Sequence, residues 1–300
     1  MSTAVSPNQS APAGGRLRTR TPMPALAPPS GIAERLRWGV RDSFTIAGRG
    51  LTRTWKDPGE LVTLIAMPLV FIGLFGYIFG SAIHLAAGSY REFLVPGIMM
   101  QSIAVSATTA SVAMATDIHD GIIDRFRTMP ISRMAFLTGS VLSEMVVRVI
   151  GVACMLTYAL LFTDWRPHRG LLLTAGGLGL LILFGFAFIW YGVMAGTVVT
   201  NPSTADAAVF AVVFPLSFLA NTFVPTSGLP TWLRLVSEWN PMSATVAAMR
   251  QLFGNPTATT GPVAWPLRHA ILMSAVWSVV MIVLCMTTAV RRYKRLRPQS

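Results

Sequence analysis

Apolar residues in this chain come in six long runs, at about 60–83, 93–115, 136–162, 171–199, 207–223 and 267–290. Each reaches or approaches the roughly 20 residues that a helix needs to cross a hydrocarbon core. The polar segments between and before the runs have a helical period of their own. From 31 to 54, Ile32, Leu36, Val40, Phe44, Ala47 and Leu51 recur at steps of three and four, with Glu34, Arg35, Arg37, Arg41 and Asp42 mostly off that stripe. This amphipathic helix suits either a membrane surface or the face of a cytosolic domain. In 116–135, Ile118, Ile122, Ile123 and Phe126 have helical spacing among Asp117, Asp120, Asp124, Arg125 and Arg127, and Pro130 ends the element. A short amphipathic helix between two spans is well placed to dock on a soluble partner. In 224–266, Trp232, Leu235, Val236 and Trp239 predict one helix, Asn240-Pro241 breaks it, and 246–253 predicts a second. The fold class expected is an all-α membrane protein with six transmembrane helices, two cytoplasmic amphipathic helices, the first of them interfacial, and an extracellular helical hairpin.

Composition sharpens the class. Of 300 residues, 53% are hydrophobic and only 12% charged, about half the charge of a soluble domain, and the mean hydropathy is +0.57. The net charge of +12 sits at the ends: residues 1–59 hold nine Lys/Arg against three Asp/Glu, and 290–300 five against none. A basic excess flanking spans places both termini in the cytoplasm of a bacterial cell, as an even number of spans requires. Loops 84–92, 163–170 and 224–266 then lie outside, and 116–135 and 200–206 inside. Nucleic-acid binding is excluded by the lack of interleaved aromatics, since the basic tail 291–300 holds one Tyr. Residues 1–30, with six prolines and no acid, form a disordered cytoplasmic tail and lack the apolar stretch of a signal peptide. Cys154 and Cys285 both fall inside apolar runs, so no disulfide framework is expected.

Catalytic chemistry is absent from the pattern. A phosphate-cradling P-loop needs a lysine after a glycine-rich turn, and neither Lys56 nor Lys294 is so placed. His84, His119, His168 and His269 are dispersed, and Asp117, His119, Asp120 and Asp124 read as a solvated helix face rather than metal ligands. No cofactor is expected on this chain. Charges inside spans are costly and usually functional. Glu144 and Arg148, four residues apart on one face of the third run, pair with each other, with a gating or substrate role as the alternative. Gly76-x-x-x-Gly80 and Gly192-x-x-x-Gly196 permit close helix approach. Polar and aromatic residues in the second and fifth runs suggest a route for an amphipathic cargo. Gln101, Ser106 and Thr109 come from one run, and Phe210, Phe214, Ser217 and Asn221 from the other.

Three motifs carry a resemblance. The stretch from Asp120-Gly-Ile-Ile-Asp-Arg-Phe to Pro130-Ile-Ser-Arg133 is similar to the loop between spans two and three of type-2 ABC exporter permeases, in their daunorubicin-resistance branch. Ala220-Asn-Thr-Phe-Val-Pro through Trp232, with Glu238-Trp-Asn-Pro-Met-Ser243, is a second match, and Arg53-Thr-Trp-Lys-Asp-Pro58 a third. The resemblance spans about residues 35–290. It implies a permease dimer, of identical or paralogous protomers, bound to two cytoplasmic ATP-binding subunits that hold ATP and Mg. It further implies that 116–135 is the coupling loop, with Ile118, Asp120, Ile122, Asp124, Arg125 and Phe126 at the ATPase groove. Residues 31–54 become the interfacial helix and 60–290 the six-span domain. The function expected is export of a hydrophobic or amphipathic small molecule, an antibiotic or a lipid, across the cytoplasmic membrane. A carrier or channel acting without an ATPase, or a non-transporting assembly factor, is the alternative.

Overall fold

The computed structural model describes residues 32–56, 58–78, 80, 89–122, 133–163, 165–222, 229–257 and 264–295. Every regular element among them is helical. In chain order these are α1 (Ile32–Lys56), α2 (Pro58–Ile78), α3 (Tyr90–Ala104), α4 (Ser106–His119), α5 (Arg133–Phe162), α6 (Gly170–Val198), α7 (Pro202–Phe218), α8 (Thr231–Glu238), α9 (Pro241–Phe253), α10 (Trp265–Arg268) and α11 (Ala270–Arg295). Among the described residues, four stretches are long and apolar enough to cross a membrane: Tyr90–His119, Phe136–Phe162, Gly170–Val198 and Ala270–Tyr293. Ile65–Ile78 and Pro202–Phe218 are shorter apolar helices. At 1.5 Å per residue, the 17 residues of α7 extend about 26 Å, somewhat less than a typical hydrocarbon core.

The second apolar run is broken. Val105 separates α3 from α4 while keeping right-handed helical backbone angles. Around it the Ser106 hydroxyl donates to the Ile103 carbonyl at 2.6 Å and Thr109 to the Ser106 carbonyl at 3.1 Å. Hydroxyls that bond back to the preceding turn compete with the backbone ladder and bend helices.

Helix α6 is the hub, packed on α4, α9 and α11. Its glycines explain how. A β-carbon at Gly192 would collide with the Ala107 carbonyl oxygen, and one at Gly196 would sit 2.5 Å from the Ser111 oxygen. Gly192-x-x-x-Gly196 therefore serves packing inside one protomer. Gly76-x-x-x-Gly80 does not act as a second helical face, because α2 stops at Ile78 and Gly80 lies in a turn.

Helix α1 lies on α5, where Ser43 and Thr138 share a hydroxyl hydrogen bond of 2.7 Å and Gly139 admits the Ile46 side chain. The buried positions are Ile46 and Ala47, whereas Phe44 is exposed. Of the expected stripe Ala47 is buried but Phe44 is not, and the residues that meet α5 are Ser43, Ile46 and Gly50, against Thr138, Gly139 and Ser143. At the same end Tyr293 stacks on Phe136, centroids 6.1 Å apart. The basic C-terminal segment accordingly begins as the last turns of α11 and not as a tail from 291.

The opposite end is knitted together by loops. Asn240 is the N-cap of α9, accepting from the Met242 N–H at 2.9 Å, and its amide donates to the Leu216 carbonyl near the end of α7 at 2.6 Å. Asn240-Pro241 therefore starts a helix, since proline at the first helical position needs no N–H partner. The Trp165 indole donates to Asn255 at 3.0 Å, and the His168 N–H to the Phe253 carbonyl at 2.7 Å.

Candidate functional site

A cavity of about 600 Å³ opens between α1, α4 and α5, with single contributions from α6 and α7. That volume suits a small organic molecule. Its walls are apolar where Ile46, Val105, Ala113, Met114 and Val193 contribute, and hydroxylic at Thr54, Thr108, Thr109, Ser140 and Ser143. Four charged side chains reach it: the carboxylates of Asp117, Glu144 and Asp206 and the guanidinium of Arg49. Asp117 and Ile122 place it near the α4–α5 connection. Beyond Val105, toward the α8–α10 end, the space is filled by a packed core that includes Phe93, Leu94, Ile98, Met99 and Ile103.

Glu144 and Arg148 are paired. Arg148 Nε donates to Glu144 Oε1 at 2.8 Å, and the pair is 5% and 14% exposed at Arg148 and Glu144. Thr109 of α4 completes a triangle, donating to Glu144 Oε1 at 2.6 Å while Arg148 Nη2 approaches its hydroxyl at 2.7 Å. The ion pair thus joins α5 to α4 at the cavity wall. A membrane-buried pair held this way satisfies both charges locally.

The seven residues expected along a route do not share one surface. Thr109 lines the cavity; Ser106 is buried with its hydroxyl bonded back to Ile103. Phe210 and Phe214, 54% and 43% exposed, stack with Phe218 as an outward ladder on α7. Ser217 and Asn221 are buried, Ser217 with its hydroxyl bonded back to the Phe214 carbonyl and Asn221 with its N–H donating to Ser243 of α9 at 3.0 Å. The stripe splits because α7 ends at Phe218, which turns Asn221 off the helical register. Gln101 Oε1 and Asn221 Oδ1 are buried without a hydrogen-bond partner.

The coupling candidates divide as well. Ile118 belongs to the last turn of α4 and is buried; Asp120 is its C-cap, and Gly121 follows at φ +65°. A left-handed glycine follows the end of α4 there, so Ile118 and Ile122 do not share one unbroken helix. Ile122 borders the cavity. Asp124, Arg125 and Phe126, with Ile123, lie outside the described residues.

The sequence pattern missed Arg250. This α9 residue is 1% exposed. Its Nε and Nη2 donate to the Phe93 carbonyl at 3.0 and 2.8 Å, Nη1 to the Asn221 carbonyl at 2.8 Å, and Nη2 to the Thr222 carbonyl at 3.3 Å. The guanidinium also lies 3.5 Å over the Phe93 ring. Burial lowers its pKa to about 9, with Tyr90 opposing that shift. The Asn221 and Thr222 carbonyls lie just beyond the C-terminus of α7, where carbonyls carry negative partial charge, so the cation is held there without a carboxylate. Each charge-assisted bond contributes about 1.5–3 kcal/mol. Nothing in the local sequence distinguishes this arginine from an ordinary loop cation, since its partners lie 28 to 157 residues away.

Comparison with known proteins supplies the identity. Residues 42–253 match the family described as ABC-2 type transporter. The chain is 32% identical over 215 residues to the daunorubicin resistance ABC transporter permease protein DrrB1 of Streptomyces coeruleorubidus, covering 69% of this chain and 76% of that one. It is 26% identical over 242 residues to the doxorubicin resistance ABC transporter permease protein DrrB of Mycobacterium tuberculosis (strain ATCC 25618 / H37Rv), covering 78% and 83%. It is also 24% identical over 221 residues to the putative transport permease ycf38 of Cyanophora paradoxa, covering 72% and 75%. A family match across most of the chain, joined to four membrane-length helices among the described residues, makes this a multi-pass membrane protein that belongs to the ABC-2 type transporter family.

Proposed function

We propose that this chain is the membrane subunit of an ATP-driven exporter that carries a hydrophobic or amphipathic small molecule, a drug or a lipid, out across the bacterial cytoplasmic membrane. The observation that carries this reading is the cavity of about 600 Å³ beside the α4–α5 connection, closed on its far side by packed side chains. Such a space takes cargo from one side only. The short helices α2 and α7 complete six crossings with the four long ones, with both termini and α1 on the cytoplasmic side and α8–α10 outside. The relatives named for daunorubicin and doxorubicin resistance fit an amphipathic cargo, as do apolar walls with sparse polar groups.

The chain has no phosphate-binding loop, so hydrolysis belongs to two copies of a separate ATP-binding subunit serving a permease dimer. Asp120, Ile122, Asp124, Arg125 and Phe126, with Ile118 bracing the end of α4, form the contact that those subunits move. ATP binding closes the partners and shifts this contact as a rigid body; the nucleotide acts by favouring one of two permease states. The test is the D124R/R125D double variant reconstituted with its ATP-binding subunit. Substrate-stimulated ATP hydrolysis falls about tenfold or more, the loss of at least 1.4 kcal/mol of coupling, while the permease elutes as the unmodified protein does. Undiminished stimulation overturns the docking assignment, and transport by the purified chain alone on an ion gradient overturns the exporter reading.

A further inference from the structure

The cavity has a roof, and one residue holds it down. Phe93, Gly97, Gln101, Val105 and Thr108 follow one another at steps of three and four along α3 and α4, so they lie along one side of that bent helix. The lower members, Val105 and Thr108, line the cavity. At Gly97 the turn Asn221–Thr222 presses directly on the helix: a β-carbon there would lie 2.6 Å from the Thr222 carbonyl oxygen. One turn further out, the Arg250 guanidinium bridges the Phe93 carbonyl to the Asn221 and Thr222 carbonyls. Between the bridge and the cavity lies Gln101, whose Oε1 has no partner, and the turn itself holds Asn221 Oδ1, also without one. Buried polar atoms left unsatisfied need a reason. One on the stripe that leads from the cavity toward the bridge, and one on the turn that the bridge holds, are accounted for by a path that is wetted, or filled by cargo, in another state.

We propose that Arg250 is the latch of the external exit. It holds the turn after α7 onto α3 in the cavity-closed state, and outward opening requires its bonds to one of those two elements to break. The inference rests on the exporter reading for the direction of transport but not for the latch itself. Arg250 is a positioning residue, acting through the backbone of α3 and of the 221–222 turn. Its planar fork engages three carbonyls at once, which a lysine ammonium on a flexible stem does not reproduce.

The experiment uses the full chain in intact cells, co-expressed with its ATP-binding subunit. Cys154→Ser and Cys285→Ser remove the native thiols, and Asn221→Cys supplies a reporter at a position where the native residue is 3% exposed and the backbone carbonyl is retained. A membrane-impermeant maleimide is added outside, with Arg250, Arg250→Lys or Arg250→Met in place. The latch predicts that labelling quickens about tenfold in Arg250→Lys and at least as much in Arg250→Met, as a local opening becomes easier. Trp165→Phe, which alters packing at the same end without touching the bridge, leaves the rate within about twofold. A rate within about twofold of the parent in an Arg250→Lys protein of normal abundance overturns the latch. So does equal acceleration by Trp165→Phe, or failure of both arginine variants to accumulate, since the residue is then scaffold. ATP-dependent efflux measured in the same cells reports separately on the exporter reading: lost efflux in the parent with accelerated labelling in Arg250→Lys sinks the former and keeps the latter.

Discussion

Replacing Arg148 by methionine removes the cation of the Glu144 pair while keeping its length and much of its volume. Glu144 then loses donors at Nε and Nη2 and retains the Thr109 hydroxyl at 2.6 Å. Stranding one member of a buried ion pair costs about 3–5 kcal/mol. Glu144 borders the cavity and is 14% exposed, so the lower end, about 3 kcal/mol, applies. Glu144→Gln alone strands the arginine, which is only 5% exposed, and costs at least as much. The double variant Glu144→Gln/Arg148→Met leaves no unpaired charge and regains about 2 kcal/mol or more relative to the sum of the single variants. The assay is a double-mutant cycle of reversible chemical unfolding in detergent micelles, followed by far-ultraviolet circular dichroism. Single variants that each lie within about 1 kcal/mol of the parent, or a double variant whose cost is the plain sum, refute the claim that the two charges satisfy one another.

Two further outcomes follow from packing and from charge. Gly192→Ala drives a methyl group into the Ala107 carbonyl, forcing α4 and α6 apart at a cost of about 1–3 kcal/mol. Gly179→Ala, with nothing within 4 Å of the new carbon, is neutral or slightly stabilising, and thermal denaturation of the two separates them. Arg250, its pKa lowered by burial to about 9, stays protonated in both folded and unfolded chains at pH 6–8, so it adds no slope to stability there. Above about pH 9 the unfolded chain holds the extra proton, and any slope from this group is upward with pH. The stability difference between the parent and Arg250→Met, measured from pH 6 to 8, is flat.

Much of the helical layout is legible in the chain because it is a local property. Apolar runs mark the long helices, and Asn240-Pro241 and Trp55-Lys56-Asp57-Pro58 mark boundaries where the structure has them. The Glu144–Arg148 pair is legible too, since four residues on a helix bring side chains together whatever lies around them. Failures begin where a neighbour decides. The α1 stripe gives Phe44 the same weight as Ala47, but the residues that meet α5 are Ser43, Ile46 and Gly50, and Phe44 is left exposed. Phe210, Phe214, Ser217 and Asn221 share a period, yet α7 ends before the last of them. Ile118 and Ile122 share a period across Gly121, where the backbone turns left-handed.

What the amino-acid order alone determined is the class: a membrane-embedded helical protein with cation-rich ends and no nucleotide-binding loop. In lipid every backbone N–H and C=O must be satisfied within its own segment, so a long apolar run has little choice but helix. Tertiary structure decided which of the many hydroxyls, carboxylates and arginines meet. Asp206 comes to the cavity of Asp117 and Glu144 from a different helix, and Arg250 finds carbonyls far away in the chain, because glycines at 97, 192 and 196 let backbones approach closely enough to set the register between helices. That register depends on shape matched between distant segments, and no single stretch of sequence contains it.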